Sequence, residues 1–291
     1  MRIWVMAARV RTLPAAVAPV LVGTALAGFG GVFHILRFVA ALVGAIFIQV
    51  GTNLSNDYSD ARRGADADDR LGPVRVTAGG LVPPSRVLLA TYLSFGIAVL
   101  AGVYLIVVAG WQLLLVGGAS ILAGVLYTGG PRPYGYEGLG EVFVFLFFGL
   151  VAVAGSYFVQ TEHLDWEAFA LAVPVGLIAA GILVVNNVRD IDSDRRASKR
   201  TLAVRMGRAR TRVMFAAVIY IAYLLTPITW IFGPLSAWVM LPWLTIPLAA
   251  AIVRTVRTRV DGASLNRALA QTGMLQLAFC VLLSAGLLLS R

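Results

Sequence analysis

The chain is 291 residues long, 59% hydrophobic and only 13% charged, with a mean hydropathy of +0.84. Soluble domains carry roughly 45–50% apolar and about 25% charged residues, so this composition excludes an ordinary soluble globule and places the chain in lipid. The formal net charge of +10 is read as membrane topology and not as a nucleic-acid footprint, because basic residues gather in the cytoplasmic loops of polytopic chains.

About nine apolar segments follow one another, at 13–31, 37–56, 86–108, 112–128, 139–160, 166–188, 212–232, 235–253 and 268–289. Most reach the ~17–25 residues that a spanning helix needs. The expected fold is therefore all-α: a polytopic membrane protein of about nine transmembrane helices in one bundle, forming a single domain over 1–291 around a polar cavity open to the cytoplasmic side. The first segment, with Arg2, Arg9 and Arg11 before it and Ala25-Leu26-Ala27 near its end, mimics a signal peptide. Pro14 and Pro19 interrupt the apolar stretch, and its loss would strip Arg9 and Arg11 from the cytoplasmic face, so it is expected to stay.

The second segment runs into Asn56-Asp57-Tyr58-Ser59-Asp60. A charged side chain at mid-membrane costs at least ~2.5 kcal/mol, so acids there are expected to face a polar cavity. Asn56 and Asp60 are four apart and share one helix face. A charged connector follows, with Arg62, Arg63, Asp66, Asp68, Asp69 and Arg70 before Gly72-Pro73-Val74-Arg75. Between the fourth and fifth segments lies Tyr127-Thr128-Gly129-Gly130-Pro131-Arg132-Pro133-Tyr134-Gly135-Tyr136. Its tyrosines and Arg132 suit either a grip on a flat anionic aromatic or a tight interfacial turn.

The sixth segment ends in Asn186-Asn187-Val188-Arg189-Asp190-Ile191-Asp192-Ser193-Asp194. Here Asn186, Asp190 and Asp194 repeat the step of four, and a shift of 130 residues lays Asn56, Asp57 and Asp60 on Asn186, Asn187 and Asp190. The chain thus carries one cation-binding pattern twice. Bases follow again: Arg195, Arg196, Lys199, which is the only lysine, Arg200 and Arg205. Cys280, the single cysteine, excludes a disulfide within the chain.

With loops assigned alternately, all but two of the 24 basic residues fall on one side, the exceptions being Arg37 and Arg291. That side is expected to be cytoplasmic, with the N-terminus there and the C-terminus outside. An even number of crossings separates Asp60 from Asp190, so both acid clusters emerge on the same face and can converge. Acids beside bases suit a polyanion held through Mg²⁺, a hard ion bound by one or two carboxylates plus phosphate oxygens, with Arg and Lys taking the remaining phosphate charge. Zinc is disfavoured, since neither His34 nor His163 reaches that face and no cysteine accompanies the acids.

At these motifs the chain resembles the UbiA superfamily of intramembrane prenyltransferases, which carry Asn-Asp-x-x-Asp after helix two and Asp-x-x-x-Asp after helix six. Within it, Arg9-Val10-Arg11-Thr12-Leu13-Pro14, Asn53-Leu54-Ser55-Asn56-Asp57-Tyr58, Gly64-Ala65-Asp66, Arg70-Leu71-Gly72-Pro73-Val74-Arg75, Tyr127-Thr128-Gly129-Gly130-Pro131 and Lys199-Arg200-Thr201-Leu202-Ala203 are similar to the 1,4-dihydroxy-2-naphthoate polyprenyltransferases of menaquinone synthesis. The general family places a further Asp four residues beyond Asp60; here Gly64 stands there and Asp66 comes two later. The general Tyr-x-x-x-Lys becomes Tyr127 with Pro131 and then Arg132.

The resemblance implies transfer of a polyprenyl group from its diphosphate to 1,4-dihydroxy-2-naphthoate, with loss of diphosphate and CO2, in a bacterial plasma membrane. It implies Mg²⁺ on Asp60, Asp66, Asp190 and Asp194, with Asn56 and Asn187 beside them, and diphosphate contacts from Asn53, Asn187, Arg63, Arg75, Lys199 and Arg200. Arg11, Tyr127, Arg132 and Tyr134 are the candidates for the aromatic acceptor. Asp57 is left open as a base, an orienting group or a metal-site residue. The rival readings are a UbiA-type enzyme with another acceptor and an ion-coupled transporter; acids at helix ends beside basic loops, and not at broken helices in mid-membrane, argue against the transporter.

Overall fold

A computed structural model describes residues 2–64, 71–72 and 74–291. Asp66, the expected ligand from the first connector, lies outside the described residues. Among the described residues every regular element is helical, as a chain in lipid requires, since a helix satisfies its own backbone groups. The principal helices are α1 (Leu13–Phe29), α2 (Ile35–Arg62), α3 (Pro84–Ala109), α4 (Gln112–Leu126), α5 (Gly140–Thr161), α6 (Trp166–Arg196), α7 (Arg208–Leu225), α8 (Ala237–Thr258) and α9 (Gly262–Leu289).

Eight of the described helices are long and apolar enough to cross a membrane. The expected fourth crossing is shorter: α4 holds 15 residues, about 22 Å of helix against a hydrocarbon layer of about 30 Å. Its run ends early because Gly129 and Gly130, the latter at φ 74°, turn the chain away. Two other helices outrun their apolar segments. α2 continues to Arg62 and α6 to Arg196, so both polar clusters sit on helix and their spacing of four is a shared face.

α1, α6 and α9 form the centre, with α1 packed on α2, α5 and α9, and α6 on α5, α7 and α9. Val22, Val153, Leu171, Ile178, Phe215, Ile219, Phe279 and Leu283 fill this core. The outer surface is equally apolar, with Val107 79% and Phe232 75% exposed, an inversion that suits lipid and no aqueous solvent.

Where α5 meets α6 the backbones touch. A Cβ at Gly149 would lie 2.6 Å from the Gly176 Cα, and one at Gly176 would lie 2.9 Å from the Gly149 Cα. Gly149 belongs to a π-helical turn, Leu146–Val151, whose extra residue offsets the two halves of α5. Gly149→Val is expected to lower the detergent melting temperature through overpacking worth about 1–3 kcal/mol. Gly96→Ala on α3, where a Cβ meets nothing within 4 Å, should leave it unchanged or raised. Differential scanning fluorimetry of the two variants checks this.

Candidate functional site

A cavity of about 1010 Å³ opens among α2, α3, α4, α5, α6 and the N-terminal segment. One end is polar, lined by Asn53, Asn56, Asp57 and Asp60 from α2, Asn187, Asp190 and Asp194 from α6, and Arg75 and Lys199 from the connectors. Arg11, Tyr127 and Tyr134 line it as well. The two clusters, 130 residues apart in sequence, therefore share one space. Arg63, Arg132 and Arg200 are exposed and stand outside this lining. Arg63 instead donates to the Gly130 carbonyl, and the Arg200 amide donates to the Tyr136 carbonyl at 2.9 Å.

The helical spacing of α2 divides its acids by task. Asp57 accepts the backbone amides of Val76 at 3.1 Å and Thr77 at 2.9 Å, one on each carboxylate oxygen. That fastens the α2–α3 connector and holds Arg75 beside Asp60. Asp60, 1% exposed, accepts the Tyr136 hydroxyl at 2.6 Å and Arg75 Nη2 at 3.1 Å, with Lys199 Nζ 3.4 Å away. Lys199 also stands 4.7 Å over the Tyr136 ring, a cation–π contact. Asn56 accepts the Thr128 hydroxyl at 2.9 Å, and the Asn53 amide donates to the Ala8 carbonyl and the Thr12 hydroxyl, both at 3.0 Å. Asn53 thus binds the N-terminal segment over the cavity.

On α6, Arg189 clasps Asp190 through Nε at 2.7 Å and Nη2 at 2.6 Å. The same guanidinium reaches Asn186 at 2.8 Å and Asn266 of α9 at 2.7 Å, and Asn266 donates to the Leu71 carbonyl at 2.8 Å. Asn187 donates through Nδ2 to Glu141 at 2.8 Å. Sequence reasoning missed four residues of this network: Tyr136, Arg189, Asn266 and Glu141. Tyr136 and Arg189 stood inside quoted motifs; Asn266 and Glu141 had only their polarity beside an apolar run to mark them.

One wall is aromatic. Tyr127 meets Tyr134 edge-on at 5.5 Å, Tyr134 stacks on Phe143 at 3.9 Å, and Phe143 lies 6.1 Å from Phe147. Burial pushes the Tyr127 phenol well up from its ordinary value, with Glu141, Tyr134, Asp194 and Asp60 adding to the rise. Burial does the same for Tyr134, whose hydroxyl donates to the Ala123 carbonyl at 2.9 Å. Both rings stay neutral at physiological pH, so neither adds a charge to the site.

The available donors fit a hard divalent cation. They are carboxylate and amide oxygens, with no histidine or cysteine on the lining. Among the described residues no three acids, histidines or cysteines form one all-protein cage. Asp60 is drawn to Arg75 and Lys199, and Asp190 to Arg189. Mg²⁺ needs no such cage, since it takes one or two carboxylates and completes its shell with phosphate oxygens and water.

Residues 16–289 match the UbiA prenyltransferase family. The chain is 40% identical over 284 residues to the 1,4-dihydroxy-2-naphthoate octaprenyltransferase of Mycobacterium tuberculosis, covering 98% of this chain and 96% of that protein. It is 36% identical over 294 residues to the enzyme of the same name from Escherichia coli, covering 99% and 96%. A UbiA homologue from Archaeoglobus fulgidus, solved with DMAPP and Mg²⁺, superimposes with a TM-score of 0.71 over 99% of both chains at 13% identity, a likeness of fold.

Removing the Asp57 staple should loosen the connector without touching Asp60. Asp57→Ala is expected to speed tryptic cleavage between Arg75 and Arg86 by about tenfold or more, the scale of a lost hydrogen bond to a charged acceptor. Peptide mapping by mass spectrometry reads the rate, and an unchanged rate refutes the staple.

Proposed function

The chain belongs to the UbiA prenyltransferase family, and from that membership we propose that it transfers a polyprenyl group from its diphosphate to 1,4-dihydroxy-2-naphthoate, releasing diphosphate and CO2. The observation that carries this reading is the single cavity with both acid clusters and their bases at one end and an apolar arm at the other. Val99, Val103 and Leu114 line that arm and are also exposed on the outer surface, at 49%, 51% and 61%. A long isoprenoid tail therefore has a path from the polar end into lipid. The naphthoate prenyltransferases among its relatives support the acceptor. Family membership removes the transporter reading.

Asp60, Asp190 and Asp194 would hold Mg²⁺ with the substrate diphosphate, joined by Asp66 from the connector. When bound, the ion neutralises the diphosphate and makes it a leaving group. Arg75 and Lys199 would meet the negative charge that develops on the diphosphate as the allylic C–O bond breaks, and Asp60 and Asp57 already hold them in place. Apolar walls would shield the allylic cation from water, and the Tyr127, Tyr134 and Phe143 rings line the same cavity. The ring carbon that bears the carboxylate forms the new C–C bond. Loss of CO2 then returns an electron pair to the ring, so that carbon releases no proton and needs no base. Asp57, both of whose oxygens are engaged by backbone amides, is accordingly assigned to positioning.

We place the polar end and the N-terminus on the cytoplasmic side of a bacterial plasma membrane. α4 then counts as the short ninth crossing and the C-terminus lies outside, a reading that the distribution of basic residues supports.

Asp60→Asn, Asp190→Asn and Asp194→Asn should each abolish prenyl transfer while membrane insertion stays intact, with transition-state losses on the order of several kcal/mol. Near-normal turnover in any two of them refutes the assignment. A chelator should silence the enzyme and Mg²⁺ restore it. For the acceptor, purified protein is incubated with polyprenyl diphosphates and a panel of aromatic acids; a decarboxylated prenyl-naphthoquinol by mass is expected, and a hydroxybenzoate product instead would redirect the reading.

A further inference from the structure

Glu141 is an acid in the first turn of a spanning helix and is only 7% exposed. It stands behind the cavity wall, whereas Asn187, which it touches, is on the lining. One carboxylate oxygen accepts Asn187 Nδ2 at 2.8 Å; the other is buried and has no hydrogen-bond partner. An acid kept in such a place is expensive and calls for a purpose.

The chemistry of the pair fixes an orientation. A carboxylate only accepts, whereas an asparagine side chain has one donor end and one acceptor end. Contact with Glu141 therefore commits the amide nitrogen of Asn187 to α5 and leaves its Oδ1 for the cavity. Asn187 precedes Asp190 by three residues and Asp194 by seven, so all three project from one helix face. The sequence set this amide beside the metal ligands and among the diphosphate contacts; with its nitrogen committed to Glu141, the end left for the cavity is the oxygen. An acceptor behind the amide also polarises it and strengthens the carbonyl oxygen as a ligand.

We propose that Glu141 is a positioning residue of the cation-binding end of the cavity: it holds Asn187 oxygen-inward and so makes that amide a ligand for the divalent cation that accompanies the diphosphate. The inference rests on the metal reading given above. It also differs from a plain tie between α5 and α6, which would affect stability and leave cation affinity alone.

The probe is Mn²⁺, titrated by electron paramagnetic resonance into the purified full chain with geranyl S-thiolodiphosphate, whose C–S bond resists ionisation. Glu141→Leu is expected to weaken Mn²⁺ binding by about tenfold or more, the usual cost of losing a residue that orients a ligand. Adding Asn187→Ala to it should weaken binding no further than Asn187→Ala alone. The exchange Glu141→Gln with Asn187→Asp reverses donor and acceptor and again leaves an oxygen toward the cavity, so it should restore wild-type affinity. Wild-type Mn²⁺ affinity in folded Glu141→Leu overturns the proposal. If that variant does not fold, the exchange decides: affinity as weak as in Asn187→Ala overturns it equally. Asp190→Asn separates the two failures. If Asp190→Asn also binds Mn²⁺ like the wild type, the metal reading itself is wrong; if only the Glu141 variants do, the positioning role alone falls.

Discussion

A carboxylate that is 1% exposed at the end of a membrane helix must be compensated, and at Asp60 the compensation builds the site. Its three partners come from three different stretches of chain: Arg75 from the α2–α3 connector, Tyr136 from the α4–α5 connector and Lys199 from the segment after α6. Each connector is thereby drawn over the same end of the cavity. Asp57, one turn earlier, pins the backbone that carries Arg75. Arg75 and Lys199 are thus held in place by the protein's own groups, a preorganisation of the kind that electrostatic catalysis uses.

Compensation of this kind also separates the two ends of the cavity. Where acids and bases pair, the walls are polar and fixed by hydrogen bonds; away from them Val99, Val103, Ile106 and Phe148 take over. The π-helical turn in α5 and the close approach of Gly149 to Gly176 hold the aromatic wall between these two regimes.

Hydropathy alone gave the rough place of the helices, because lipid imposes length and apolarity on every crossing. It erred at α4, where the apolar run 112–128 passes into a glycine turn that counts as apolar without being helical. The spacing of four located both acid clusters and their common face, and even crossing number predicted their convergence on one cavity. Pairing was beyond it. Arg189 reaches Asn266 across 77 positions, Asn187 reaches Glu141 across 46, and Asn266 reaches Leu71 across 195, and no local pattern encodes such contacts. For the same reason Arg63, Arg132 and Arg200 read as site residues by neighbourhood in sequence, yet stand outside the lining.

The apparent duplication is one of spacing and not of role. Asn56 and Asn186 both use the amide oxygen as acceptor, the first from Thr128 and the second from Arg189. At the next position the polarity inverts: Asp57 receives two backbone amides, whereas Asn187 donates to Glu141. Asp60 is neutralised by bases brought from distant connectors, and Asp190 by its own neighbour on α6. Freeing Asp60 for a new ligand therefore means moving side chains carried by connectors, whereas the clasp on Asp190 comes from its own helix, from a guanidinium that also reaches Asn186 and Asn266. The two halves of the site thus differ in what holds each acid: side chains carried by three connectors at Asp60, and a guanidinium of the same helix at Asp190.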